Sequence, residues 1–421
     1  MEQGVKKTAL HSWHVAQGAR MADFGGYEMP LWYSSAKNEH LSVLQHAGLF
    51  DTSHMAAVMV TGPEARDLLQ YCFTNDLDAC VGQLKKPLSP GRCVYGAYLN
   101  AQGEVIDDSI INQLSEDRYM AVVNAGMGAM VADHFNAQAG DRDVSISDLT
   151  GKLGKIDIQG PLAAKILSKV LAAPESAFDK LFYFSFKGHF DPGSPLADAV
   201  RLSDGTPILL SRTGYTGEFG FEIFVSPDKV VQTWEMIYAA GQEFGLTACG
   251  LAARDSLRGG AVLPLSHQDI GHWPFIHHPW PFALPFNADQ TGFTKSFIGD
   301  QALLTVDRPE YTYAFVGGDL RKVTTPATVL DAEGNALGIV LTCVSDMGIG
   351  YHQGRLLSIA SPDKPQDFSP RGLCCGFIKV KSPLKPGSTV VLKDQRRKLN
   401  VTIVTDIRPD RTARRPIKEM L

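Results

Sequence analysis

A chain of 421 residues is long enough for roughly two or three domains, each with its own core. With 44% hydrophobic and 20% charged residues it is not a disordered polymer, and a formal net charge of -5 excludes a general nucleic-acid binder. No stretch approaches the ~20 apolar residues of a membrane helix, the N-terminal segment has no signal-peptide core, and seven cysteines without C-x-x-C spacing fit a reducing, cytoplasmic setting.

From Met1 to about Gly140, helical and strand patterns alternate. ARDLLQYCF (Ala65 to Phe73) has helical spacing, while RCVYGAYLN and EVIDDSIINQL read as strands joined by the turn Ala101-Gln102-Gly103. The second strand carries an anomaly, the acid doublet Asp107-Asp108. Strand side chains alternate, so Ile106, Asp108 and Ile110 share one face and Val105, Asp107, Ser109 and Ile111 the other. Asp108 thus falls on a purely aliphatic face. A carboxylate buried there costs several kcal/mol unless a partner or ligand meets it. The bland alternative is a strand that ends early with both acids solvated.

Further along, KIDIQGP (Lys155 to Pro161) reads as a strand leading into the helix LAAKILSKVLA. TPILLSRTGYTGEFGFEIFV (Thr206 to Val225) reads as a glycine-interrupted hairpin. Its Gly214, Gly217 and Gly220 lack the lysine and hydroxyl residue of a phosphate loop, so turn geometry with positive φ is the expected reason for them. The helix KVVQTWEMIYAAGQEFG aligns Val230, Trp234, Ile237 and Tyr238 on one core-facing side. Residues 262–296 break this regularity, with Pro264, Pro274, Pro279, Pro281 and Pro285 forbidding a long helix. From about Tyr311 onward, LGIVLTCV, CCGFIKV and STVVLKD read as short strands of a small all-β domain.

Three blocks occur in order around GEVIDDSI: ARMADFGGYEMPLWY with GLFDTSHM, then SRTGYTGEFGFEIF, then CGLAARDSLR. Together they resemble the aminomethyltransferase family, the T-protein of the glycine cleavage system, closely over roughly residues 10 to 260. The resemblance implies an α+β fold of three lobes around a central folate channel. Two interleaved lobes would occupy residues 1–306, and a C-terminal β-barrel-like domain residues 307–421. It also implies a tetrahydrofolate-dependent enzyme that takes a methylene group from an aminomethyl-lipoyl carrier protein and releases ammonia.

By motif position the resemblance makes Asp108 the catalytic carboxylate that faces folate. Glu222 would hold the guanidine-like edge of the pterin through paired hydrogen bonds. Tyr95, Tyr183 and Tyr215 become wall residues, Met55 and Asn124 close the pocket, and Arg254 answers negative charge or orders the acids. On residue type alone each has a structural alternative: an Arg254–Asp255 helix ion pair, an exposed Glu222 opposite an inward Phe221, half-buried core tyrosines.

After Arg258 the chain departs from the family pattern. GGAVLPLSHQDIGHWPFIHHPWPFALPF concentrates His267, His272, His277, His278, Trp273, Phe275, Trp280 and Phe282 near the expected channel mouth. Those aromatics either pack on the protein or form a cation–π pocket for a methylated donor. No metal site is expected from these histidines. The basic residues Arg396, Arg397, Lys398, Arg408, Arg411, Arg414 and Arg415 read as a solvated tail, or as an attractor for an anionic folate tail or acidic carrier. Two other activities stay open: a tetrahydrofolate-dependent demethylase of an N-, S- or O-methyl compound, and a non-catalytic folate-binding accessory protein. Relatives of the latter kind carry a K-G-C-[FY]-x-G-Q-[ED] signature that is absent here.

Overall fold

The computed structural model describes residues 4–307 and 309–421. Two antiparallel-rich sheets, a closed barrel and two small hairpins carry the architecture. The first sheet has five strands in the order Cys93–Leu99, Val105–Ser115, Arg118–Val123, Ala56–Thr61, Ser145–Asp148. Gly103, at φ +77°, turns the chain between the first two, where only a residue without Cβ adopts the left-handed backbone freely. The helices Ala65–Cys72 and Gly128–Ala139 bury Leu68, Leu69, Val131 and Phe135 against Val58, Tyr119 and Ile111 of this sheet.

The second sheet has six strands in the order Phe186–Gly188, Leu209–Ser211, Gly220–Val225, Gly154–Gln159, Gly48–Asp51, Thr247–Ala248. Its strand Gly48–Asp51 precedes the entire first sheet in sequence, and the rest follow it, so the two lobes are interleaved. The helix Ala163–Val170 packs its apolar stripe here, as does Val230–Gly241, whose Val230, Trp234 and Ile237 are buried. Glycines in the hairpin have different reasons from those the sequence suggests. Only Gly217 has positive φ (75°); a Cβ on Gly214 would lie 2.6 Å from the amide carbon of Gln159, so close approach, not turn geometry, excludes a side chain there.

The third unit is a closed six-stranded barrel ordered Tyr311–Gly317, Leu373–Val380, Ala336–Asp346, Thr328–Leu330, Thr389–Lys393, Lys398–Val404. Closure leaves no free edge, which suits short strands of this kind. The aromatic segment after Arg258 fills the space between the barrel and the five-stranded sheet. Ile270, Phe275 and Trp280 are buried with Phe297, Val316 and Phe377, and Trp280 Nε1 donates to the Val262 carbonyl at 2.8 Å. Proline stiffening and core packing therefore account for most of its aromatics.

The C-terminal segment corrects another expectation. Arg408 is not part of a solvated tail: it is 1% exposed and pairs with Asp346 of the barrel and, at 3.0 Å, with Glu218 of the hairpin. Beyond it the chain returns to the six-stranded lobe, where Arg212 donates to the carbonyls of Ala413 and Arg415 and Ile417 and Met420 join the core.

Candidate active site

The three units enclose a cavity of about 1730 Å³. That exceeds the ~300–1,000 Å³ of an ordinary small-ligand pocket and suits an elongated molecule. Asp108, Tyr95, Met55, Asn124, Tyr183, Tyr215, Glu222 and Arg254 all line it.

One polar centre is the acid doublet. Strand alternation operates as expected, but the more deeply buried acid is Asp107, on the face of Val105 and Ile111, while Asp108 is half-buried at the cavity wall. The aliphatic face is thus the cavity-facing one. Asp107 accepts from the Asn124 backbone N–H at 3.0 Å, its Nδ2 at 2.7 Å and Ser266 Oγ at 2.9 Å. Asp108 accepts from Tyr95 hydroxyl at 2.8 Å and from the same Asn124 Nδ2 at 2.7 Å. Asn124 therefore clamps both acids from the end of the neighbouring strand Arg118–Val123. Burial raises the pKa of both carboxyls, and the Asp107 charge adds to the rise at Asp108, which is carried toward neutrality.

The other polar centre sits on the six-stranded sheet. Glu222 and Asp157 are directly opposed on adjacent strands, a like-charge pairing that is unfavourable by itself. Lys155, one pleat away on the same face, resolves it: its Nζ bonds Glu222 Oε1 and, at 2.6 Å, Asp157 Oδ1. Thr213 donates to the second Glu222 oxygen. Arg254 Nη1 meets Asp157 Oδ2 at 2.9 Å, and its guanidinium carbon lies 4.8 Å from the Tyr215 ring centre. Burial works to raise the Asp157 pKa, but the Lys155 and Arg254 charges outweigh it and hold it below the ordinary carboxylate range. Asp255, the partner of Arg254 in the structural alternative, pairs with Arg258 instead. Glu222 is 8% exposed and faces the cavity side, opposite to Phe221 in the core.

The tyrosines close the walls. Tyr215 hydroxyl donates to the Pro264 carbonyl, tying the hairpin to the aromatic segment. Tyr183 lies beneath Arg414, whose guanidinium carbon is 5.4 Å from its ring centre. Of the aromatic segment only Pro279 and Phe282 bring rings to the cavity beside the stretch Val262–Gln268, and Phe282 lies 5.8 Å from Tyr95. Phe275 and Trp280 are buried in the core, so these two do not form a cation–π pocket. Among the described residues no group of three His, Cys, Asp or Glu side chains is placed to hold a metal.

Sequence reasoning missed Lys155, Asp157 and His54. The period-two pattern of Lys155, Asp157 and Gln159 against Ile156 and Ile158 marked a polar strand face, but nothing marked that face as buried.

The GCVT N-terminal domain model matches residues 10–273. The chain belongs to the aminomethyltransferase family. It is 37% identical over 347 residues to an aminomethyltransferase of Symbiobacterium thermophilum, covering 81% of this chain and 86% of that one. It is 32% identical to an aminomethyltransferase of Desulforamulus reducens, covering 86% and 96%. The glycine cleavage system aminomethyltransferase T of Bartonella henselae superposes with a TM-score of 0.72 at 26% identity, covering 95% of this chain and 97% of that one. The three-lobed arrangement with its closed barrel is thus the family fold. For this aminomethyltransferase-family chain, no described helix is long and apolar enough to cross a membrane.

Proposed function

We propose that this aminomethyltransferase-family enzyme binds tetrahydrofolate in the central cavity and transfers to it the methylene of an aminomethyl-lipoyl carrier protein, with release of ammonia. The observation that carries the reading is the pair of carboxylates, Asp108 and Glu222, lining one large cavity. A folate is long, carries a ring edge rich in N–H donors, and reacts at a nitrogen that must lose a proton. Glu222, held in place by Lys155 and Thr213, still has lone pairs to accept from the ring edge. Tyr95, Tyr183 and Tyr215 supply aromatic walls. Met55 closes the pocket beside Asn124, and Arg254 keeps Asp157 ionised beside Glu222.

Asp108 has the chemistry for the transfer step. Its raised pKa lies nearer the working pH than that of a free carboxyl, so it can take the proton that the attacking nitrogen releases or offset charge developing there. Tyr95 and Asn124 fix its two oxygens and so orient it. The same reading divides the chain at residue 306, with the folate-binding lobes before it and the barrel-like domain after.

Asp108→Asn keeps the shape and the Asn124 and Tyr95 contacts but removes the base. Turnover should fall about 10²–10⁴-fold with little change in folate affinity. The assay is ammonia release from an aminomethyl-lipoyl carrier in the presence of tetrahydrofolate. Full activity of the variant overturns the role of Asp108. Failure of the wild-type enzyme with that donor, together with turnover of a methylated small molecule, overturns the donor assignment.

A further inference from the structure

His54 is a buried histidine of the cavity wall whose ring makes no hydrogen bond to any described residue. It is 4% exposed and lines the cavity, yet its Nδ1 is sealed from solvent with no hydrogen-bond partner among the described residues. The ring lies edge-on to Phe24, with centroids 5.6 Å apart at 86°, and 6.4 Å from Tyr27, so apolar rings of the hairpin Arg20–Trp32 cover one side. An imidazole this dry is normally satisfied within the protein.

Two arguments fix its state. Burial, reinforced by the Arg254 and Lys155 charges, lowers its pKa to about 4, so it is neutral near pH 7. A buried N–H without an acceptor is worse than a lone pair without a donor, so the single proton belongs on the nitrogen that is not sealed. That nitrogen, Nε2, also lacks a partner among the described residues and has the cavity to face. His54 therefore supplies a neutral, preset N–H donor. Two residues before it, Thr52 Oγ1 donates to Asp157 Oδ1 at 2.9 Å, and Asp157 is directly opposed to Glu222, so the turn that carries His54 leads directly off the Glu222 cluster.

We propose that His54 is a specificity-determining residue that donates Nε2–H to the acceptor edge of the bound heteroaromatic ring, at the same end of the cavity where Glu222 accepts from the ring's donor edge. The inference rests on the folate reading above. A pterin presents both edges, N–H groups for a carboxylate and a ring carbonyl for a donor. Glu222 alone reads only the first, and a ring with the carbonyl oxygen replaced by sulfur, which keeps the ring N–H and amino donors, would satisfy it equally. His54 adds discrimination between the two, because sulfur is a poor acceptor and leaves Nε2–H without a good partner.

The test uses the full-length enzyme and two probes, tetrahydrofolate and its 4-thio analogue, with Kd measured by calorimetry at pH 7. His54→Phe should weaken tetrahydrofolate about tenfold or more and abolish the preference over the 4-thio analogue, while KM for the carrier stays unchanged. His54→Gln, which keeps a donor, should remain within about threefold of wild type in tetrahydrofolate affinity and guards against a mere folding defect of the Phe variant. Long-range ¹H–¹⁵N spectra of the wild type should show the Nε2–H tautomer and a shift of that nitrogen on folate binding. Unchanged tetrahydrofolate affinity and preference in His54→Phe, or an Nδ1–H tautomer, overturns this inference alone. A wild-type enzyme that binds no tetrahydrofolate overturns the folate reading and this inference with it.

Discussion

The chemical role proposed for Asp108 carries a cost to stability, and the two can be measured on one variant. Folding raises the pKa of Asp107 and Asp108 above the ordinary 3.8. Between that value and the raised ones the native state holds protons more tightly than the unfolded chain. Stability contributed by this pair is therefore present at low pH and lost as pH rises through the folded pKa values. Above that window two charged carboxyls share Asn124 in a water-poor wall. Asp108→Asn removes one charge, so its Tm should exceed that of wild type at pH 8, and the difference should shrink toward pH 4. A Tm below wild type at pH 8 would mean that Asp108 is a structural ion rather than a group held in an unfavourable state for function. The doublet was visible in the sequence as a strand anomaly, and alternation correctly separated the two faces. Which face was core and which was cavity was not legible, because Val105, Ser109 and Ile111 are no more apolar than Ile106 and Ile110; only the packing of Ile111 under the helix Ala65–Cys72 decides it.

At the scale of elements, legibility followed regularity. The strands Cys93–Leu99 and Val105–Ser115, the helix Ala65–Cys72 and the helix Val230–Gly241 have clean periods and lie where those periods put them. The polar strand Gly154–Gln159 has an equally clean period, but all six residues are buried, and alternation cannot distinguish a solvated polar face from one neutralised by ion pairs. Lys155, Asp157 and Glu222 come together only because strands 154–159 and 220–225 pair in that register. The aromatic segment is the opposite case, irregular in sequence yet tightly packed. Trp280 touches Phe377 with ring centroids 5.3 Å apart and is fully buried between barrel and sheet. Trp280→Ala should destabilise by about 3–5 kcal/mol through the lost contacts and the cavity left behind. Chemical denaturation with an unchanged m-value would register this. A loss under about 1 kcal/mol would show that the segment is loosely held and not part of the shared core.

At the scale of the whole molecule, the cavity depends on the C-terminal segment staying docked, because Asp406, Asp410, Arg411, Ala413 and Arg414 form part of its lining. Arg408 is the fastening point. It joins Asp346, which also meets His40 Nε2 at 3.1 Å, to Glu218 and to the carbonyls of Thr216 and Leu257, so one guanidinium links the barrel, the hairpin and the helix Leu251–Gly260. Burial works to raise the Asp346 pKa, but the charges of Arg408 and His40 outweigh it and drive it far below 3.8. A depressed acid contributes stability that is present above the unfolded value and lost as pH falls toward the folded one. Arg408→Leu strands Asp346 and Glu218 without their counter-ion and should cost about 3–5 kcal/mol at pH 7, more than a cavity-filling apolar replacement can recover. As pH drops below about 4 the wild type begins to lose the contribution of this pair and the variant does not, so their Tm values should start to converge on acidification. Differential scanning calorimetry from pH 7 to pH 3 measures both curves. Parallel curves, with a constant gap at every pH, would show that Arg408 stabilises by packing alone and that the Asp346 charge is not what holds the barrel to the other two lobes.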